Sequence, residues 1–318
     1  MTSSNPILAA ALIALLALAM PAAAEQTAAP AQPAAAKAAQ QSYATPDEAV
    51  AALVAATRAA DLKALLAVVG PSAEDWISSG DPVADRADWR QFVALYDAKH
   101  AIVANGDARA TLTAGDDPWP FPAPLVRKDG RWQFDAAAGK EEVLKRRIGR
   151  NELDTIQTLL AIVDAQREYA VHDGDHNGVH DYARRIMSSP GKRDGLYWAA
   201  PEGAPASPLG RLVAAAEAKG YVATGDAPSP YQGYLFRILT AQGKDAPGGA
   251  YDYLLRDHLM GGFAVIAWPA KYANSGIMTF IVNHTGVVYE KDLGDATADQ
   301  AAKITRFNPG KGWKRAQY

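Results

Sequence analysis

Residues 233–243 read GYLFRILTAQG, and residues 248–294 read GGAYDYLLRDHLMGGFAVIAWPAKYANSGIMTFIVNHTGVVYEKDLG. Runs of β-branched and aromatic residues alternate here with Gly, Asn, Pro and Asp clusters, the pattern of an antiparallel meander. Tyr234–Thr240 alternates, with Leu235, Arg237 and Leu239 on one side and Tyr234, Phe236 and Ile238 on the other. Phe263–Trp268 is almost wholly apolar, so both of its faces are expected to be covered. Pro269 should end that strand, because proline donates nothing to a ladder. Met278–Asn283 and Val287–Lys291 are the next strands, joined by a tight turn in which Gly286 is free to take a positive φ. Asn274-Ser275-Gly276 turns the chain before them. The block is a sheet or a binding face, and it lacks the residue types of an active site.

The spine for this sheet lies upstream. Leu153, Ile156, Leu160, Val163 and Arg167 recur at helical spacing, with Leu159 and Ile162 beside them. Asn151 is expected to cap this helix, with Glu152 and Asp154 in its first turn. Gly149 is expected to end the helix before it. That junction helix carries the i,i+4 pairs Glu141–Lys145 and Glu142–Arg146. Lys145, Arg146, Arg147 and Arg150 form a basic cluster, read either as an anion or partner site or as a solvated face.

Further upstream the pattern is helices first, then strands. Thr45-Pro46-Asp47-Glu48 is a helix start, with Thr45 as N-cap and Pro46 at the first helical position. A second helix follows Asp61 and stops at Gly70-Pro71, and a third spans Asp88–His100. Strands are expected at Ala101–Val103, Ala108–Thr113, Pro118–Val126 and Arg131–Phe134, with Asp129-Gly130 as a hairpin turn. Asp97 and His100, three apart, are a possible acid–base pair; alternatively His100 only closes the helix end.

Residues 1–24 read as a secretory signal: Ile7–Met20 is apolar, and Ala22-Ala23-Ala24 suits cleavage before Glu25. Residues 25–42 are rich in Ala, Pro and Gln and read as a disordered linker. The domains then run 43–139 and 140–318. The chain has 318 residues, 32 basic and 35 acidic, a net charge of −3 and no cysteine. This balance gives no nucleic-acid footprint, and no later run approaches the ~18 apolar residues of a membrane span. Thiol catalysis, disulfides and thiolate metal sites are excluded. A periplasmic or secreted protein with an unknown envelope partner is the expectation.

Residues 171–182, VHDGDHNGVHDY, are the one candidate metal site. Asp173, Asp175 and Asn177 alternate, Gly178 follows at the sharp turn, Val179 offers a carbonyl, and Asp181 holds the ninth place. This is most of a calcium loop, but Arg184 stands where its last carboxylate belongs. His172, His176 and His180 are four apart and suit a transition metal if helical; Gly174 and Gly178 oppose a helix, and a plain turn is the third reading. Trp198, Tyr221, Tyr231 and Tyr234 are either an aromatic groove or satellite core.

The strings DGLYW, FRILTAQG, AWPAKY and SGIMTFIVNHTGVVYEKDLG closely resemble the bacterial domain of unknown function 2950 family, over about Thr45 to Trp313. The ending PLVRKDGRWQFD of the first domain resembles the NTF2-like, or cystatin-like cone, fold. The spine followed by GYLFRI and SGIMTFIVNHTGVV is similar to the globular half of type IV pilins and pseudopilins, although no apolar N-terminal half precedes the spine. These resemblances imply an α+β chain, an NTF2-like domain followed by a pilin-like one, acting as a non-catalytic binding or assembly module. The alternative is an envelope hydrolase using the first domain's pocket.

Overall fold

The computed structural model describes residues 39–201, 203–221 and 229–318. The expected signal segment lies outside the described residues, as does all of the linker before Ala39. The linker's last residues are docked. Gln40 Nε2 donates to the carbonyls of Val69 at 2.7 Å and Phe134 at 2.8 Å, and Arg131 Nε donates to Ser42 Oγ at 2.9 Å.

Residues 39–135 place helices against a sheet. The helices are α1 (Pro46–Arg58), α2 (Leu62–Val69), α3 (Glu74–Ile77) and α4 (Pro82–Ala98). The strands are β1 (His100–Ala104), β2 (Arg109–Ala114), β3 (Trp119–Pro120), β4 (Leu125–Lys128) and β5 (Arg131–Phe134). They pair antiparallel in the order β1-β2-β4-β5, with β3 on β2. Local chemistry accounts for the boundaries. Thr45 Oγ1 accepts from Glu48 N and caps α1, Asp61 caps α2, and Asp129 and Gly130 both take positive φ in the β4–β5 turn. α4 starts earlier than the reading from Asp88, because Asp81 caps it by accepting from the amides of Val83 and Ala84.

α5 (Ala136–Val171) is a single helix of 36 residues. This corrects the expectation of a break at Gly149 and a new cap at Asn151. One exposed glycine costs a helix only about 1 kcal/mol relative to alanine, and packing on both sides of it offsets that. Asn151 is buried within the helix, and its Nδ2 donates across to Ser275 O at 2.9 Å.

Beyond α5 come β6 (Arg185–Met187), β7 (Gly195–Tyr197), α6 (Gly210–Ala218), β8 (Tyr234–Leu239) and β9 (Ala241–Gln242). The chain continues through β10 (Tyr251–Asp252), β11 (Leu254–Leu255), β12 (His258–Leu259), β13 (Ala264–Pro269) and β14 (Met278–Asn283). β15 (Tyr289–Asp292), α7 (Thr297–Lys303) and β16 (Lys314–Arg315) complete it. The main sheet is antiparallel, in the order β16-β15-β14-β13-β8. All six residues of β13 are buried, as an apolar central strand requires. In the turn after β14, Asn283 Oδ1 accepts from Thr285, and Gly286 takes φ 81°. The strand after it is shorter than expected and begins at Tyr289. Arg237, in β8, donates to the carbonyls of Ala301, in the last turn of α7, and Ile304, just beyond it, which suits a cation at a helix C-terminus.

The apolar side chains form two clusters. One gathers Val50, Leu53, Val68, Leu112, Leu125 and Phe134. The other gathers Ile156, Leu159, Tyr234, Phe263, Ile266 and Phe280. α5 serves both, and residues 38–318 make one compact unit. The chain is therefore α+β. Among the described residues no helix is long and apolar enough to cross a membrane.

A continuous α5 predicts that Gly149→Ala stabilises the fold. Nothing lies within 4 Å of the added methyl, and alanine is favoured over glycine in a helix by about 1 kcal/mol. Urea unfolding should show a gain of roughly 0.5–1 kcal/mol; a loss would mean that the glycine is a helix terminator after all.

Candidate functional site

Three short helices and α4 do not close completely against α5. They leave a cavity of about 510 Å³, within the range of small-molecule sites. Leu53 and Val69 line it from α1 and α2, Trp89 and Phe92 from α4, and Trp119 and Phe121 from the β3 region. Most of its charged groups come from α4 and α5, with Asp117 beside the β3 region. α4 supplies Asp85 and Asp88; α5 supplies Arg146, Arg147 and Arg150.

The three arginines differ in their partners. Arg146 pairs with Glu142 at 2.6 Å on the surface, with its guanidinium 5.6 Å from the Trp119 ring centre. Arg150 pairs with Asp88 at 3.0 Å, and both are substantially exposed. Arg147 is only 8% exposed. Its Nη1 donates to Asn274 Oδ1 at 2.8 Å and its Nη2 to Trp76 O at 2.6 Å. Both acceptors are neutral. Burial lowers the Arg147 guanidinium from its ordinary value, Asp85 and Asp88 oppose this, and Arg150 adds to it. The solvated reading of the basic run therefore fails at Arg147, which faces inward because it shares the helix side of Val143 and Asn151.

Asp85 is also buried, and both of its oxygens accept from Ser79 N at 3.1 Å. Burial pushes its carboxyl above the usual range; the Ser79 hydrogen bonds and the Arg147 charge only partly oppose this, and Asp81 adds to it.

The same region binds the two halves together. Asp81 Oδ2 accepts from Tyr221 Oη at 2.8 Å and from Gly233 N at 3.0 Å. Asn274 Nδ2 donates to the carbonyls of Asp75 and Ser78. Glu152 Oε1 accepts from the amides of Ile277 and Met278.

The sequence-nominated residues lie elsewhere. Asp97 pairs with Arg58 at the surface. His100 begins β1 and stacks on Tyr96, with its Nδ1 against Tyr96 O. The structure does not bring these two together, and neither lines the cavity.

In the 171–182 loop the carboxylates face local partners. Asp173 accepts from the amides of Asn177 and Gly178. Asp175 accepts from Asn177, and the Val179 carbonyl accepts from Asp181 N. Asp181 Oδ2 lies 2.8 Å from His258 Nδ1. His172, His176 and His180 turn to Glu168 O, Arg193 and Ala170 O respectively. Among the described residues no group of three or more His, Asp or Glu is placed to hold a metal ion. Asp175, Asp181, Asp194, Tyr169, Arg184 and His258 line a smaller cleft of about 230 Å³ there.

The four aromatics do not share a groove. Tyr234 is core, Trp198 packs on Tyr169, and Tyr221 packs on Tyr231. Sequence reasoning missed Asp85, Trp76 and His258. A signal for Asp85 was present: Asp81-Pro82 marks a helix start that places Asp85 one turn inside.

A family model described as "Protein of unknown function (DUF2950)" matches residues 40–316. No curated protein and no solved structure matches the chain.

The Asp85 environment predicts a pH effect. The folded chain holds this proton more tightly than the unfolded chain. Its contribution to stability is therefore full below the usual carboxylate range and is lost as pH rises through the raised value. Asp85→Asn removes that loss. Urea unfolding should show the variant gaining on the parent as pH rises above the usual carboxylate range; a difference that stays flat, or that favours the parent at the higher pH, would refute the assignment.

Proposed function

The chain belongs to the family described as Protein of unknown function (DUF2950), and from that premise we propose that it is a non-catalytic binding module of the cell envelope. The cavity between α4 and α5 takes a small apolar molecule. One observation carries this reading: an opening of about 510 Å³ whose lining combines Leu, Val, Trp and Phe side chains with charged groups of α4 and α5. A half-open cleft of this size with aromatic walls is what a ligand site looks like.

The reading takes residues 43–139 as an NTF2-like cone, whose concave side is such a pocket, and the rest as a pilin-like sheet crossed by its spine. The helix layer over β1-β2-β4-β5 supports the first. α5 across β13 and β14 supports the second. Export is proposed from the apolar run Ile7–Met20 and the small residues after it.

Trp76, Trp89 and Trp119 all line the cavity, so an occupant should change tryptophan emission. The neutral fluorophore N-phenylnaphthylamine is expected to bind once per chain and to accept energy from these tryptophans. Val143→Trp, on the α5 wall, should weaken it at least about tenfold while the chain stays folded, since added ring volume occupies the space. Unchanged affinity in that variant, or no binding to the parent, would defeat the proposal.

A further inference from the structure

Resting on the reading of this cavity as a ligand site, we propose that its occupant is a single-chain amphiphile whose apolar body lies among the aromatic walls and whose head is a carboxylate received by Arg147. A buried cation is expensive unless a charge of opposite sign or a full set of acceptors meets it. Arg147 lines the cavity and is buried, and its hydrogen-bond acceptors are a backbone carbonyl and an amide oxygen. No carboxylate of the described residues lies within ion-pair distance of it, whereas Arg146 and Arg150 each have one. A planar guanidinium offers five donors, and two are engaged here. A carboxylate is the anion whose geometry matches that fork.

The carboxylate that acts most strongly on Arg147 is Asp85, on the α4 side of the same cavity. Its oxygens face Ser79 N, and burial disfavours its ionised form, so it yields to a second carboxylate more readily than a surface acid would. Asp88 is already taken by Arg150. The head group is therefore drawn to Arg147 rather than to the rim.

Competition against bound N-phenylnaphthylamine tests this with dodecanoate and dodecanol, which share the chain and differ in the head. Dodecanoate is expected to displace the fluorophore at least about tenfold more effectively than dodecanol, the scale of a charge-assisted pair out of water. Arg147→Met should bring the two competitors level while the fluorophore still binds. Arg150→Gln should leave the preference intact.

Equal displacement by both competitors in the parent overturns the carboxylate assignment while the cavity reading survives. Failure of the fluorophore to bind at all overturns both. Loss of the preference in Arg150→Gln moves the head to the rim and overturns the role of Arg147. If Arg147→Met does not fold, salt decides: a buried pair keeps its preference at about 0.5 M salt, and an exposed one loses it.

Discussion

Arg147 carries its charge into the interior, and two neutral oxygens hold it there, one from Trp76 and one from Asn274. These acceptors belong to opposite halves of the chain. A charged donor withdrawn from water cannot leave its bonds unmade without a cost of several kcal/mol. Neither half can therefore move away from α5 without exposing an unsatisfied group. Asn274 extends the constraint, because its amide nitrogen reaches the Asp75 and Ser78 carbonyls. Asp81 repeats the device with one oxygen on its own helix cap and the other on Tyr221 and Gly233. The joint is polar and buried, so it is specific in geometry where an apolar contact would tolerate sliding.

The cavity follows from this joint. α5 is fixed by the sheet beyond residue 151, so its first turns are held at a set distance from α4. Space remains between the rings of α4 and the β3 region and the α5 wall. Arg147 takes part in both the joint and the cavity lining, and Asp85 and the Asp88–Arg150 pair line the same cavity. The packing that joins the two described halves into one compact unit also brings charged groups to the pocket's wall.

Much of this was legible in the residues. Thr45-Pro46, Asp61, Asp129-Gly130 and Asn283–Gly286 act locally, so their caps and turns read correctly. The β13 and β14 strands read correctly because unbroken apolar runs have few other uses. The spine was misread because Gly149 and Asn151 are local stop signals that tertiary contacts override. Stepping back by fours from Leu159 lands on Thr155, Asn151 and Arg147, all of them buried. That stripe is polar, and so it did not look like a core face. Its partners lie far off in the sequence: Trp76 and Asn274 for Arg147, Ser275 for Asn151. No periodicity within one helix reports them. The pairing of Asp181 with His258 was hidden for the same reason.

If the buried joint governs the fold, the halves cannot melt separately. Differential scanning calorimetry of the intact chain measures this directly. The account predicts one transition whose calorimetric enthalpy equals its van't Hoff enthalpy. Two resolved transitions would contradict it, most plainly if a substitution in β13 moved one and left the other in place.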